Sequence, residues 1–408
     1  MTEWKKVKLG DYCEITSSKR IFLSEYTDTG ILFCRSKEII EMSENNEISE
    51  PLYISETKYK EIKERFGVPQ VGDLLLTSVG TIGVPYVVKD NDCFYFKDGN
   101  LTWFRHFKQN VDSTFVYYWI KSSEGYGVLN NTTIGSSQKA LTISALKRLE
   151  IPCPPIAIQH SIATTLSRYD ALIENYHRQI KLLEEAAQRL YKEWFVDLHF
   201  PGHENVKVVD GVPEGWEKKK IKDVCETIGG GTPSTKERSY YEGGNIKWVT
   251  PTDITRSRSI CLLDTEKKIT EEGLNHSSAK MLPAGTILMT SRASVGYFGL
   301  FDCEVCTNQG FISCIPNNAN IQFYLLYNLK NRVDEIRGKA GGSTYLEISK
   351  KVFRSFDIVL PTEDICCQFQ SVIEHYIKSI RTLTNSISLL TESRDRLLPK
   401  LMSGEIEI

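Results

Sequence analysis

The chain has 408 residues, 41% of them hydrophobic and 25% charged, with a formal net charge of −2. That length and composition suit a globular chain of more than one domain, and no apolar run is long enough to cross a membrane. The near-neutral balance argues against a chain that coats nucleic acid by charge alone, although a local basic stripe suffices for a specific contact.

Eleven cysteines follow a start, MTEWKKVKLGDY, that lacks the apolar core of a signal peptide. They read as reduced thiols in a cytoplasmic protein. The block WKKVKLGDYCEI opens the chain at Trp4 and leads into TSSKR (16–20). There Ser18, Lys19 and Arg20 offer hydroxyls and cations to a phosphate. GILFCRSKEI (30–39) follows, with Arg35 and Lys37 after an apolar run. The patterning predicts strands at 74–78, 84–88 and 101–107 and a helix at 114–122. In LLLTSVGTIGVPYVV (74–88), Ser78 and Val79 stand where a strand meets its loop. Val79 can touch a thymine methyl but cannot donate a hydrogen bond. GSSQK (135–139) forms another polar loop, with Ser136, Gln138 and Lys139, and a glutamine can pair bidentately with adenine.

IPCPP (151–155) then ends a strand and can open a helix. Beyond it Ile162, Leu166, Tyr169, Ile173, Tyr176, Ile180, Leu183, Ala187, Leu190 and Trp194 alternate steps of four and three. That is the seam of a coiled coil, and its aromatics read as core side chains, not stacking platforms. At about 1.5 Å per residue, 162–194 would run roughly 50 Å, against about 34–36 Å for a turn of B-DNA. FPGHENVKVVDGVPEGW (200–216), rich in Gly, Pro and charge, marks a mid-chain boundary.

The second half repeats the first in order. Trp216 opens WEKKKIKDVCETI, and GGGTPSTK (229–236) brings Thr232, Ser234, Thr235 and Lys236 beside glycines that would let the backbone approach a phosphate. NIKWVTPTDI (245–254) answers GILFCRSKEI, with Thr250 and Asp253 as loop candidates. ILMTSRASVGYFGLF (287–301) answers the first Thr-Ser segment, placing Ser291 and Arg292 past a strand; an arginine there can fork onto guanine O6 and N7. CEVC (303–306) reads as a strand that throws its cysteines to opposite faces, hence packing cysteines and not a zinc site. A helix is predicted over 321–337, and GGSTY (341–345) supplies Ser343, Thr344 and Tyr345. After VLP (359–361) a second seam runs through Phe369, Ile373, Tyr376, Ile380, Leu383, Ile387, Leu390, Leu397 and Leu401, broken once by Arg394.

The predicted architecture is mixed α/β (α+β): two pseudo-symmetric units, each with a twisted, mainly antiparallel sheet, separated by an antiparallel two-helix coiled coil. The boundaries are 1–153 for the first unit, 154–215 for the first helix and linker, 216–360 for the second unit and 361–408 for the second helix. Antiparallel pairing keeps the connection short and would set the two units at opposite ends of the pair. Catalytic signatures are missing: no GxxxxGK[ST] loop, no HExxH, and no Asp-Pro-Pro-Tyr or Asn-Pro-Pro-Tyr. No metal or cofactor site is expected in this chain.

YKEWFVDLHFPGHE, DGVPEGWEKKKIKDV, GGGTPS, WVTPTDI and RDRLLPKLMSGEI together resemble the specificity subunit of type I restriction-modification enzymes, and the match covers essentially the whole chain. The resemblance implies target-recognition domains at about 1–153 and 216–360, each reading half of a split site in double-stranded DNA. It implies spacer helices at about 156–199 and 362–403 that bind two methyltransferase subunits. Those subunits carry S-adenosylmethionine and methylate adenine N6; two restriction and translocase subunits using ATP and magnesium can add to them. The subunit itself would be non-catalytic. TSVG in the first unit departs from the TSRA of the second, which puts Val79 in doubt as a DNA contact. Two other readings stay open: the specificity subunit of a bifunctional methyltransferase-nuclease that cuts on both sides of its site, and a coiled-coil scaffold that binds only protein.

Overall fold

The computed structural model describes residues 4–133, 139–342, 345–406 and 408. The chain divides into two compact units, residues 1–174 with 390–408, and Asn175–Leu389. Each is mixed α/β, and each contains parts of two 40-residue helices, Ile156–Phe195 and Glu363–Met402.

In the first unit a four-stranded antiparallel sheet has the order Glu14–Thr16, Leu101–Arg105, Leu74–Thr77, Pro85–Val87. A second sheet runs Tyr26–Thr27, Tyr53–Ile54, Ile31–Cys34, Phe94–Phe96, with its last pair parallel. Lys6–Lys8 pairs with Glu150–Pro152. The helix Ser113–Lys121 starts where Asp112 accepts hydrogen bonds from the Thr114 and Phe115 amides at 2.7 and 3.0 Å, an ordinary N-cap. Its Phe115, Val116 and Trp119 are buried in one core with Ile162 and Leu166 of the first long helix and Leu398 and Leu401 of the second.

The second unit repeats this plan. Its four-stranded sheet has the order Cys225–Gly229, Phe311–Pro316, Ile287–Thr290, Phe298–Gly299. Ile246–Val249 pairs antiparallel with Lys268–Ile269 and parallel with Cys306–Thr307, and Glu217–Lys220 pairs with Asp357–Leu360. The core here joins Ile180, Ala187 and Tyr191 of the first long helix to Phe369, Ile373, Ile377 and Ile380 of the second. In the first unit the start of one long helix meets the end of the other; in the second unit the end meets the start. The two therefore pair antiparallel.

Local chemistry sets the helix limits. Glu363 and Asp364 fill the first turn of the second long helix, where the helix dipole favours anions. Gly404 ends it with φ 70°, and a Cβ there would sit 3.2 Å from the Trp4 ring. Glycine is the residue that meets both demands.

Two expected elements differ. The helix expected over 321–337 is two, Gln322–Asn331 and Val333–Gly338, broken at Arg332. There the guanidinium leaves the helix to donate to the Asp357 carbonyl and to bond the Glu335 carboxylate. Residues 303–306 do not form a strand throughout: Val305 makes an isolated bridge to Leu282, and the strand proper is Cys306–Thr307. The two cysteines instead flank one lysine: Lys247 Nζ lies 3.5 Å from Cys303 Sγ, and Cys306 Sγ lies 3.5 Å from the Lys247 carbonyl. Burial pushes the Cys306 thiol up to about 12.

Candidate nucleic-acid interface

The two Thr-Ser segments build the same hydrogen-bonded frame. In the first unit Thr77 Oγ1 accepts from the Val84 amide at 2.9 Å, the Ser78 amide donates to the Asn100 carbonyl at 2.8 Å, and the Ser78 carbonyl accepts from the Leu141 amide at 2.9 Å. In the second unit Thr290 Oγ1 accepts from the Tyr297 amide at 2.9 Å. The Ser291 amide donates to the Gly310 carbonyl at 2.8 Å, and the Ser291 carbonyl accepts from Ile348 at 3.0 Å. Two residues past each Thr-Ser threonine-serine junction the backbone turns left-handed, at Gly80 (φ 78°) and Ala293 (φ 60°).

This frame gathers loops that are distant in sequence. In the first unit, Thr16 ends a strand paired with 101–105, Leu101 faces Thr77, and Lys97 donates its amide to the Cys34 carbonyl at 2.8 Å. The loops after Thr16, Cys34, Phe96 and Thr77, with the segment at 139–141, therefore meet on one edge. In the second unit Gly229 pairs with Ile312, Thr290 with Phe311, and Asn308 donates to the Val249 carbonyl at 3.0 Å. The same edge is built again from the loops after Gly229, Val249, Thr290 and Thr307 and the segment at 345–348.

Lys19, Arg20 and Lys37, exposed on the first edge, are anchored. Arg20 Nε lies 3.0 Å from Asp98, and Lys19 Nζ lies 5.0 Å from the centre of the Phe66 ring. The Lys19 amide donates to the Tyr95 hydroxyl at 2.7 Å, and burial pushes that phenol up. Arg35 caps the helix Ser36–Ser43 and clasps the buried Glu38 carboxylate at 2.5 Å. Burial opposes ionisation of Glu38, but the bonds from Arg35 outweigh it and hold the carboxyl below its ordinary range. Lys37 pairs with Glu50 at 3.0 Å, and Lys139 is exposed. On the second edge Ser234, Thr235, Lys236 and Tyr345 are exposed, and Thr232 donates to Gln309. Ser136, Gln138, Ser343 and Thr344 lie outside the described residues.

Several candidates face inward instead. Ser78 and Ser291 are 2% and 3% exposed. The Ser78 hydroxyl bonds Thr102 at 2.7 Å inside the sheet, and the backbones of both serines hold the frame. Ser18 is buried too. Asp253 spends its carboxylate on the protein: one oxygen accepts from the Thr250 amide and hydroxyl at 2.7 and 2.6 Å, the other from the Glu266 amide at 2.8 Å. At both matched helix starts the carboxylate three residues on accepts from the N-cap amide, Glu38 from Arg35 at 2.6 Å and Asp253 from Thr250 at 2.7 Å. The glycine run also serves packing. A Cβ on Gly230 would fall 2.1 Å from the Thr307 carbonyl oxygen, and one on Gly231 2.4 Å from the Ala279 amide. The backbone approach that glycine permits is to the protein's own chain.

Three parts of the edge escaped the sequence reading: residues 97–100 with their counterpart 307–310, and the two residues Ala140 and Glu347. Asp-Cys at 92–93 and again at 302–303 was the signal that aligns the first pair. The others become visible only through their bridges to Val79 and Arg292.

Along the helix pair, Ile162, Leu166, Ile180, Phe369, Ile373 and Ile380 are buried. Tyr169, Ile173, Tyr176, Leu183, Leu190, Tyr376, Leu383, Ile387, Leu390 and Leu397 are half-buried. Arg394, the seam break, bonds Asp170 at 2.5 Å, and the other Asp170 oxygen accepts from the Tyr118 hydroxyl at 2.7 Å.

A family model described as a type I restriction modification DNA specificity domain matches residues 1–185 and again 213–392. The chain is 35% identical over 167 residues to the specificity subunit of the type I restriction enzyme MjaIX of Methanocaldococcus jannaschii, covering 40% of this chain and 38% of that one. The match thus spans well under half of that relative. It is 25% identical over 481 residues to the HindI specificity subunit of Haemophilus influenzae, covering 100% of both. The crystal structure of the type I restriction-modification S subunit from M. genitalium superposes with a TM-score of 0.60 at 18% identity, over 98% of this chain and 96% of that one, a likeness of fold.

Proposed function

Because the chain belongs to the type I restriction-modification DNA specificity family, we propose that it reads DNA for enzymes it does not itself contain. It is a specificity subunit. Each unit binds one half of a bipartite duplex target with its loop-bearing sheet edge, and the paired long helices receive two methyltransferase subunits. Those partners bring S-adenosylmethionine and methylate adenine N6. In the restriction form, two further subunits supply ATP- and magnesium-dependent translocation and cleavage. This chain contributes no catalytic step, in keeping with its lack of methyltransferase and ATPase signatures.

One observation carries the reading: the same strand-end edge occurs twice, with a common buried frame and different exposed side chains. A shared frame supplies a common way of docking on the duplex, while changed side chains supply two different sequences to read. Lys19, Arg20, Lys139 and Lys236 would position the backbone phosphates; Arg292 would contact a base. The test is co-expression with the cognate methyltransferase subunit, followed by mapping of methylated adenines. Methylation at a split, non-palindromic motif is expected. Methylation at an undivided site, or at none, would overturn the proposal.

A further inference from the structure

At one matched position the two units carry opposite chemistry. Val79 makes a single antiparallel bridge to Ala140, and Arg292 makes the same bridge to Glu347. The neighbouring bonds from Leu141 to Ser78 and from Ile348 to Ser291 fix the register, so Ala140 and Glu347 are counterparts. In the second unit Arg292 Nε lies 3.6 Å from Glu347 Oε2, with the two side chains 46% and 49% exposed. The guanidinium carbon stands 6.0 Å from the centre of the Tyr345 ring. The next residue, Ala293, is held left-handed at φ 60° while its amide donates to the Leu346 carbonyl at 2.8 Å. A half-exposed ion pair contributes little to stability, and a left-handed alanine costs some. Stability does not account for this arrangement.

We infer that this bridge is the base-pair-reading position of each unit, with Glu347 a specificity-determining residue: Arg292 and Glu347 together read a G·C pair, and Val79 with Ala140 reads a thymine methyl. The inference rests on the DNA-reading proposal above and deepens it. In the major groove guanine presents N7 and O6, both acceptors, and cytosine presents the N4 donor beside them. The ion pair runs through Nε, so the outer edge of the guanidinium, Nη1 and Nη2, is the part that can fork onto guanine. The carboxylate only accepts, which suits cytosine N4 and opposes the O4 acceptor of thymine. Val79 and Ala140 present no polar side-chain atom and can meet only a methyl.

The test uses the chain co-expressed with its methyltransferase subunit, with methylated motifs mapped for wild type, Glu347→Gln, Glu347→Ala, and Arg292→Val combined with Glu347→Ala. The wild-type motif should hold an invariant G·C pair in one half-site. Glu347→Ala should relax that position alone. Glu347→Gln keeps the side-chain shape but adds donors, and should weaken the discrimination against thymine there while Arg292 keeps its preference for guanine. The double substitution copies the apolar chemistry of the first unit and should shift the position toward A·T. In competition binding with the assembled complex, wild type should discriminate that base pair by roughly 5- to 150-fold, the size of one good bidentate contact; Glu347→Ala should reduce that ratio by the cytosine contact, and the double substitution should abolish it. A half-site without an invariant G·C pair, or Glu347→Gln and Glu347→Ala motifs identical to wild type, would overturn the inference while leaving DNA reading intact. Failure of wild type to direct methylation to any split site would overturn DNA reading itself.

Discussion

Asp170 should matter more to the first unit than the arginine it holds. Arg394 interrupts an apolar seam, yet its bond to Asp170 is 2.5 Å long, with the two side chains 18% and 28% exposed. The second Asp170 oxygen accepts from the hydroxyl of Tyr118, a residue only 3% exposed. Asp170→Ala removes a hydrogen bond to a charged group, about 1.5–3 kcal/mol, from a largely buried phenol. It also removes a partly shielded ion pair, about 1 kcal/mol. The expected loss is about 3 kcal/mol. Asp170→Asn keeps an acceptor for Tyr118 and should cost only about 1 kcal/mol. Arg394→Leu gives up the ion pairs to Asp170 and Asp395 and leaves the Asp170 carboxylate without its cation, but restores an apolar seam residue, so the net loss should be about 1 kcal/mol. Urea unfolding of the full chain, with hydrogen exchange of 113–121 and 390–402 to localise the effect, measures all three. If Arg394→Leu were as damaging as Asp170→Ala, the ion pair and not the phenol would be the dominant contact, and the reasoning would be refuted.

Thr290→Val should leave the Tyr297 amide without its Oγ1 acceptor inside the frame, at a cost of about 1–3 kcal/mol. Lost exchange protection around 291–297 and a relaxed second half-site, with the first half-site unchanged, are the expected readouts; equal effects on both half-sites would contradict it. Burial, with Arg258 nearby, pushes the His177 imidazole from 6.5 down to about 4. The folded-state value lies below the unfolded one, so the unfolded chain binds the extra proton. Stability should therefore decline as pH falls from 6.5 toward 4. His177→Leu should flatten that part of a pH series of denaturation midpoints, and an unchanged slope would count against it.

Much of the architecture was written in local patterns. A heptad seam is a spacing rule, so the paired long helices were legible from Ile162 and Phe369 onward. Alternating apolar runs placed the strands around Leu74 and Leu101 because a sheet with a buried face needs them. The repeat was legible because two copies of one frame need the same residues at the same points: Trp4 and Trp216, Cys13 and Cys225, Thr77 and Thr290. The break at Arg332 was not legible, since it depends on the Asp357 carbonyl and the turn that brings it there.

The recognition edge divides the same way. The sequence by itself determined that loops of matched position carry unmatched side chains, because that is a comparison along one dimension. Only the tertiary structure decided which of those side chains face out. Ser78 and Ser291 turn inward because strand pairing with 101–105 and 311–316 buries the end of their strand. Gly230 and Gly231 approach Thr307 and Ala279, not a phosphate, because the sheet and a neighbouring loop already occupy that space. Arg292 meets Glu347 through an isolated bridge between segments far apart in the chain. No local pattern encodes such a pairing, because it is set by packing between segments whose sequences do not constrain each other until the fold brings them together.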